Sequence, residues 1–332
     1  MTTVKDVAKL AGVSASTVSR SLSEKIFVDP QTKARVLLAV EKLKYRPNLM
    51  AKGLKEGITR TFALIIPSIT NLYYPQLVHS VEKCAAENDY SLILYNTNED
   101  LEAERKAVEA LQKYYVAGVI VSTASNDIQH ILALEKNNIP FVLLNRLFPG
   151  NVNYVSNDQA LGARKVMGYL IQKGHKRISV LLCGFQKQIY KYRYDGCMAA
   201  LRAHRLEASE KFFLFDVNGI DVAHRRVIEI MRRKKPPTAL FVTNNMLAFG
   251  VYRALNELGL RIPADVSIIG YDNLLTDQYM NPPLTSYEQP LDEIGKHAVL
   301  NLISQIKNKL RKPEKLLLSG SLLERESVQQ LK

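Results

Sequence analysis

The sequence predicts a small all-α helix-turn-helix head, joined through a short hinge to a large α/β body with two doubly wound parallel-sheet sub-domains. Three observations carry this reading. The first 60 residues pattern as short helices around a Gly-containing turn and hold 12 Lys and Arg against 5 Asp and Glu. Beyond them, fully apolar runs alternate with amphipathic stretches, the pattern of parallel sheets covered on both faces. About ten such units exceed the usual size of one sheet, so two sub-domains are expected.

Composition narrows the function. The 332 residues are 47% apolar and 23% charged, which excludes a disordered chain. No run approaches the roughly 18 apolar residues of a membrane helix, so no membrane partner is expected. The start, MTTVKDVAKL, places Asp6 where a secretory signal would be apolar, so a cytoplasmic location is expected. The 3 Cys (Cys84, Cys183, Cys197) and 6 His are scattered, with no disulfide framework and no metal-ligand spacing. No phosphate loop or nucleophile elbow occurs, so no cofactor, metal or catalytic residue is expected. More than half of the net charge of +13 lies in the first 60 residues, which suggests a head that binds a polyanion.

The head reads in order. Thr3 and Asp6 fit a capping box, and Val4, Val7, Ala8, Leu10 and Ala11 follow at helical spacing until Gly12 stops the helix. Ser14 caps a second helix over 15–23, whose Val18 and Leu22 are expected to pack on Val7 and Leu10. A third helix opens at Asp29-Pro30 and is expected to bury Val36, Leu37, Val40 and Leu43. Periodicity alone does not separate this from an ordinary three-helix bundle. The outer face of the second helix, Ala15, Ser16, Thr17, Ser19 and Arg20, is small and polar with one long donor, which suits close approach to base edges. Lys5 is expected to be at most a backbone contact.

The segments VKDVAKLAGVSASTVSRSLS (4–23), YRPN (45–48) and AKGL (51–54) resemble the lactose/galactose-repressor family of bacterial transcription regulators. Later blocks fit as well: KGHKRI (173–178), PPTA (236–239), IP (262–263) and DVSIIGYDN (265–273). The resemblance implies a homodimer on a pseudo-palindromic double-stranded operator, and a body of periplasmic-binding-protein type with chain crossovers near 158 and 289. It also implies paired hinge helices in the minor groove, with Leu54 as an apolar wedge. The domains are then a head over 1–46, a hinge over 47–60 and an effector-binding, dimerising body over 61–332. A hinge helix of one or two turns is marginal in water and is expected to form only on DNA. Gly53 departs from the better helix former common there. The C-terminal 324–332 carry no leucine heptads, so a dimer without a tetramerising tail is expected.

Strand-like runs lie at 62–67, 92–96, 118–122, 141–145, 178–183, 239–243 and 266–272. Ligands in open α/β sheets bind beyond the carboxyl ends of strands. Polar residues that collect there include Asn71, Tyr190 and Asn244. The expected effector contacts are Tyr73, Tyr74, Asn145, Arg146, Asn157, Arg193, Asn245 and Asp272; the resemblance supports Arg193 (in RYDG) and Asp272 (in GYDN) best. Amides, a guanidinium, a carboxylate and aromatic rings together suit a sugar or sugar derivative. Asn145, Asn157 and Asn245 stand where the family often has Asp. With Lys187 and Lys191 nearby, that leaves two effectors open, a sugar acid and a neutral sugar held through amides. Gly174-His175 reads as a helix terminator rather than a catalytic pair. The expected function is an effector-controlled transcription repressor; a sugar-binding transport protein shares the body fold but not the basic head.

Overall fold

The computed structural model describes residues 2–22, 27–45, 59–113, 116–148, 150–184, 187–206, 212–307 and 312–331. The expected hinge helix, with Leu54 and Gly53, lies outside the described residues. The chain divides into Met1–Thr59 and Arg60–Lys332.

In the head, α1 (Val4–Ala11) starts at Thr3, whose hydroxyl and the Asp6 carboxylate form the reciprocal capping box. Gly12 ends it at φ 64°, where an L side chain would be strained. Helix α2 (Ala15–Ser21) is capped by Ser14, whose Oγ accepts from the Thr17 N–H at 3.1 Å. It stops two residues short of the expected end. Helix α3 (Pro30–Lys42) is capped by Asp29, which accepts from Thr32 N–H at 2.9 Å. Val7, Ala8, Ala11, Val18, Val36 and Ala39 form the core. Two leucines expected inside are not: Leu10 is 46% and Leu37 47% exposed. On α3 the inward stripe is Val36, Ala39, Val40 and Leu43, at spacings of three and four, and Leu37 lies about 100° away from it.

The body holds two six-stranded sheets. The first orders as β11-β5-β4-β3-β1-β2, all parallel. Its strands are β1 (Thr61–Ile66), β2 (Ser91–Asn96), β3 (Gly118–Val121), β4 (Phe141–Leu144), β5 (Tyr154–Asn157) and β11 (Lys315–Leu318). The second orders as β12-β10-β9-β8-β6-β7, parallel except for β12. It contains β6 (Ile178–Leu181), β7 (Phe213–Leu214), β8 (Ala239–Val242), β9 (Ser267–Asp272), β10 (Thr285–Glu288) and β12 (Ser321–Leu323). Both sheets are doubly wound, with the strand order reversing beside β1 and beside β6. Helices α4 (Tyr73–Glu87), α5 (Leu101–Lys113), α6 (Gln129–Lys136) and α11 (Leu291–Ile306) belong to the first lobe. Helices α7 (Gln159–Gln172), α8 (Gln188–Ala203), α9 (Ile220–Met231) and α10 (Met246–Glu257) belong to the second. From Phe62 to Ile66, β1 is fully buried, which is why it reads as an unbroken apolar run.

Three connections run between the sheets, after β5, after β10 and between β11 and β12, against the two expected. The third joins strands of four and three residues whose alternate positions face solvent, too short to announce themselves. A buried polar network binds the three crossings. Asn157 Nδ2 donates to Tyr271 Oη at 2.9 Å, Tyr287 Oη donates to Asn157 Oδ1 at 3.0 Å, and Gly320 N donates to Tyr287 Oη at 2.7 Å. Gly162 lets α7 reach this network: a Cβ there would stand 2.3 Å from the Tyr271 hydroxyl. Gly174 ends α7 at φ 86°, and His175 is buried between Thr238 Oγ1 and Gln329 O, a structural placement.

Candidate effector site

The carboxyl ends of the two sheets face a common cavity lined by Asn71, Tyr73, Tyr74, Asn145 and Arg146 from the first lobe. The second lobe and the crossings contribute Gln159, Ile189, Tyr190, Arg193, Asn244, Asp272 and Gln289. The free space in it is about 30 Å³, too little for a sugar ring, so the lobes stand close together around it. Contacts across the mouth hold them there. Lys187 Nζ lies 2.5 Å from Glu99 Oε1, and Gln188 N donates to Asn126 Oδ1 at 3.3 Å.

The second lobe presents a satisfied charge network. Arg193, 3% exposed on α8, donates through Nε to Gln159 Oε1 at 2.8 Å and through Nη1 to the Thr243 carbonyl. Its Nη2 stands 3.6 Å from Asp272 Oδ1, and its guanidinium lies 3.8 Å from the Tyr271 ring centroid. Asp272 also accepts from Gln289 Nε2 at 2.6 Å and from Asn245 N at 3.3 Å. Burial lifts the Asp272 carboxyl from 3.8 to about 6, with Arg193 and the two donors opposing. Burial works against the Arg193 charge, but Asp272 together with Tyr271, Tyr190 and Tyr73 outweighs it and holds the guanidinium above its ordinary value.

The first lobe differs. Asn145 ends β4 with φ 55° and donates through Nδ2 to Tyr73 Oη at 2.5 Å. Its Oδ1 is buried without a hydrogen-bond partner among the described residues, and so is Nε of Arg146. Arg146 is 4% exposed, donates to its neighbour's carbonyl at 3.3 Å, and has no carboxylate within 4 Å among the described residues. Burial lowers its pKa, partly countered by Tyr74, Tyr190, Glu104 and Glu99. Tyr73 and Tyr74 meet edge to face at 5.2 Å, and burial raises both hydroxyls. Asp272, at φ 122°, shares with Asn145 a left-handed backbone at the end of a strand; such strain costs roughly 1–3 kcal/mol and clusters at ligand sites.

Six of the eight expected effector contacts line the cavity: Tyr73, Tyr74, Asn145, Arg146, Arg193 and Asp272. Asn157 and Asn245 do not. Asn157 turns into the network of the crossings, and Asn245 donates to Ser286 Oγ at 2.9 Å and to Asp277 Oδ2 at 2.5 Å. Asn157 ends β5 and Asn245 precedes α10, and both amides are taken up by these partners. Nor do the two lysines reach it: Lys187 pairs with Glu99 and Lys191 is exposed. Gln159, Ile189 and Gln289 escape the sequence reading. The two glutamines stand within two residues of the ends of the first two crossing strands, a paired placement that a search for strand-end polar residues after apolar runs passes over.

On the head, Ser16, Ser19 and Arg20 are exposed on α2, and Arg20 Nε donates to Ser16 O at 3.4 Å. Thr17 and Ala15 are half-buried: the Thr17 hydroxyl bonds Ser14 Oγ at 2.9 Å, and Ala15 packs against the head core.

Residues 3–48 match the model of bacterial regulatory proteins of the lacI family, and residues 59–326 that of periplasmic binding proteins and the sugar-binding domain of the LacI family. The ribose operon repressor of Escherichia coli K12 is 34% identical over 99% of this chain and 100% of its own length. The transcriptional repressor PurR of Vibrio cholerae is 33% identical over 100% and 99%. Among solved structures, a lac repressor dimer bound to operator and the anti-inducer ONPF superposes with a TM-score of 0.88 at 26% identity, covering 99% of each chain. A LacI-family regulator from Enterococcus faecium with bound ribose gives 0.74 at 27% identity, covering 82% of this chain and all of its own. The head and body are thus matched separately and the relatives end to end: the chain belongs to the lacI family of bacterial regulatory proteins.

Proposed function

We propose that this chain is a cytoplasmic transcription repressor that binds a pseudo-palindromic operator as a homodimer and releases or grips it according to a small polyhydroxylated effector. It binds that effector without transforming it. The observation that carries the reading is the cavity between the lobes, where Asn145, Arg146, Arg193 and Asp272 converge beside Tyr73 and Tyr74. Ring hydroxyls of a pentose-sized sugar both donate and accept, which matches a site with unpaired donor and acceptor capacity. The ribose-related names among the relatives support a sugar of that size. On the head, Ser16, Thr17, Ser19 and Arg20 are the proposed base-reading residues, with Arg20 pairing to a guanine edge.

The test is a gel shift on the chain's upstream region, with and without ribose and related sugars. A change of operator affinity in either direction supports the reading, and no binding to any upstream duplex defeats it. Arg20→Ala should cost roughly 1–3 kcal/mol on the operator and relax preference at one base pair per half-site. Unchanged operator affinity in that variant removes Arg20 from the reading role.

A further inference from the structure

The body's charge is as uneven as the whole chain's. Residues 158–288, mostly the second lobe, hold 19 Lys and Arg against 12 Asp and Glu, whereas the rest of the body beyond residue 60 holds 14 against 15. The excess gathers at one end. Segments 173–177, 202–206, 232–238 and 258–266 precede β6, β7, β8 and β9 and together carry 10 Lys and Arg against a single Asp. The adjoining 207–211 adds two Glu and one Lys. These strands are parallel neighbours in the order β9-β8-β6-β7, so the segments form a stripe along the amino edge of the sheet, opposite the effector cavity. At about 4.8 Å per strand the stripe is roughly 15 Å long.

Hydrogen bonds tie its centre together. Arg177 Nε donates to Pro236 O at 2.9 Å, and Thr238 N donates to Arg177 O at 2.8 Å, which sets Lys176 and Arg177 beside Arg232, Arg233, Lys234 and Lys235. All six are exposed. Lys176, Arg177, Arg232, Lys234 and Lys235 have no carboxylate within 4 Å among the described residues, whereas Lys173 and Arg261 at the margins pair with Glu324 and Asp265. No exposed large apolar side chain among the described residues falls in the four segments. Protein interfaces need apolar anchors at their centre. A cation-rich surface without an apolar anchor fits a phosphate backbone, which is bound through charge without base contacts.

We propose that this stripe is a second, sequence-independent contact for duplex DNA, through which a protein already seated on its operator holds another segment of duplex. The test uses the full chain. Operator duplex is immobilised and saturated with protein, and capture of a labelled non-operator duplex is measured from 50 to 200 mM salt. The wild type should capture it at low salt. A variant carrying Arg232→Gln, Arg233→Gln, Lys234→Gln and Lys235→Gln should capture at least tenfold less, with its operator affinity and melting temperature unchanged. The slope of log affinity against log salt should fall in magnitude by up to about 3.6, near 0.9 for each phosphate that is no longer neutralised. Arg232→Lys with Arg233→Lys, which keeps the charge, should restore capture. No capture by the wild type, or equal capture by the glutamine variant, overturns the proposal. So does stronger binding of polyglutamate than of duplex, which would assign the stripe to an acidic protein.

Discussion

The two lobes share one strand order but prepare their halves of the cavity in opposite ways. The second lobe has settled its charges: Arg193 meets Asp272, Gln159 and the Thr243 carbonyl, and Asp272 meets Gln289 and Asn245. The first lobe holds back: Arg146 is buried without a carboxylate, and one polar atom each of Arg146 and Asn145 is unpartnered. A satisfied network fixes geometry, whereas an unsatisfied one keeps hydrogen-bonding energy for what enters. The second lobe is therefore the template of the site, and the first lobe supplies the gain that accompanies closure.

The largest effect that bears on this comparison is on Arg193. Arg193→Met leaves Asp272 buried without its cation, and breaking one half of such a pair costs about 3–5 kcal/mol. Denaturant titration should show that loss, and calorimetry should show no effector binding. Adding Asp272→Leu should restore most of the stability but none of the binding. A single variant as stable as wild type would mean that the second lobe is not the settled half.

The second effect is on pH. Asp272 is held at about 6 and Asp277 at about 7, both raised chiefly by burial from 3.8. A raised carboxyl binds its proton more tightly in the folded state. Its contribution to stability is full below about 4 and is lost as pH rises through its folded value. For Asp272 the difference corresponds to roughly 3 kcal/mol. Unfolding free energy should therefore fall between pH 4 and 7 and level off above. Asp277→Asn should make the fall shallower from pH 4 to 6 and abolish it between 6 and 7, where Asp277 alone contributes. A profile that rises over this range would refute the assignment.

How far the site can be read from sequence follows the same division. Residues that end long apolar strands, such as Asn145 and Asp272, are legible because the run before them marks where the sheet stops. The crossing strands β5 and β10, with YVSN and TSYE, carry polar residues on their buried side to build the network of the crossings, so no apolar run announces them. Gln159 and Gln289 go unseen for that reason, and Asn157 is assigned to the cavity when it serves the network of the crossings. Asn245 goes astray for another: which side of the loop after β8 its amide takes depends on Asp277 and Ser286, brought there from distant segments. The leucines of the head show the same limit, since periodicity names candidates but not the edge of the buried stripe.

The third effect is on Arg146. Having no ion partner to orphan, Arg146→Gln should leave stability unchanged or slightly raised, since it removes a buried charge. Effector affinity should fall about 10- to 100-fold by calorimetry, or 1.4–2.7 kcal/mol. Matched ligands sharpen this. Arg146 and Arg193 face one carboxylate, so the cavity is formally positive, and a sugar acid should lose more in this variant than its parent sugar. Equal losses would make Arg146 a hydrogen-bond donor to a neutral sugar. A stability loss as large as that of Arg193→Met would erase the contrast between the lobes.

The smallest effect tests the closure that joins the two halves. Lys187 reaches Glu99 across the mouth, with side chains 29% and 48% exposed. A pair that open to water is worth at most about 1 kcal/mol. Yet a space of about 30 Å³ does not admit a sugar, so the lobes must part for entry and close again for binding. A contact made only in the closed form shifts that equilibrium by its own free energy and no more. Lys187→Gln should therefore weaken effector binding by no more than about fivefold, while speeding association, because the open form is better populated. Glu99→Gln should do the same, and the double variant should match either single one, since both remove one interaction. Stopped-flow measurement of association and dissociation separates the two rates. If the double variant instead shows the product of the single losses, Lys187 and Glu99 act independently, and closure rests on Asn126, Gln188 and the unpartnered groups of the first lobe.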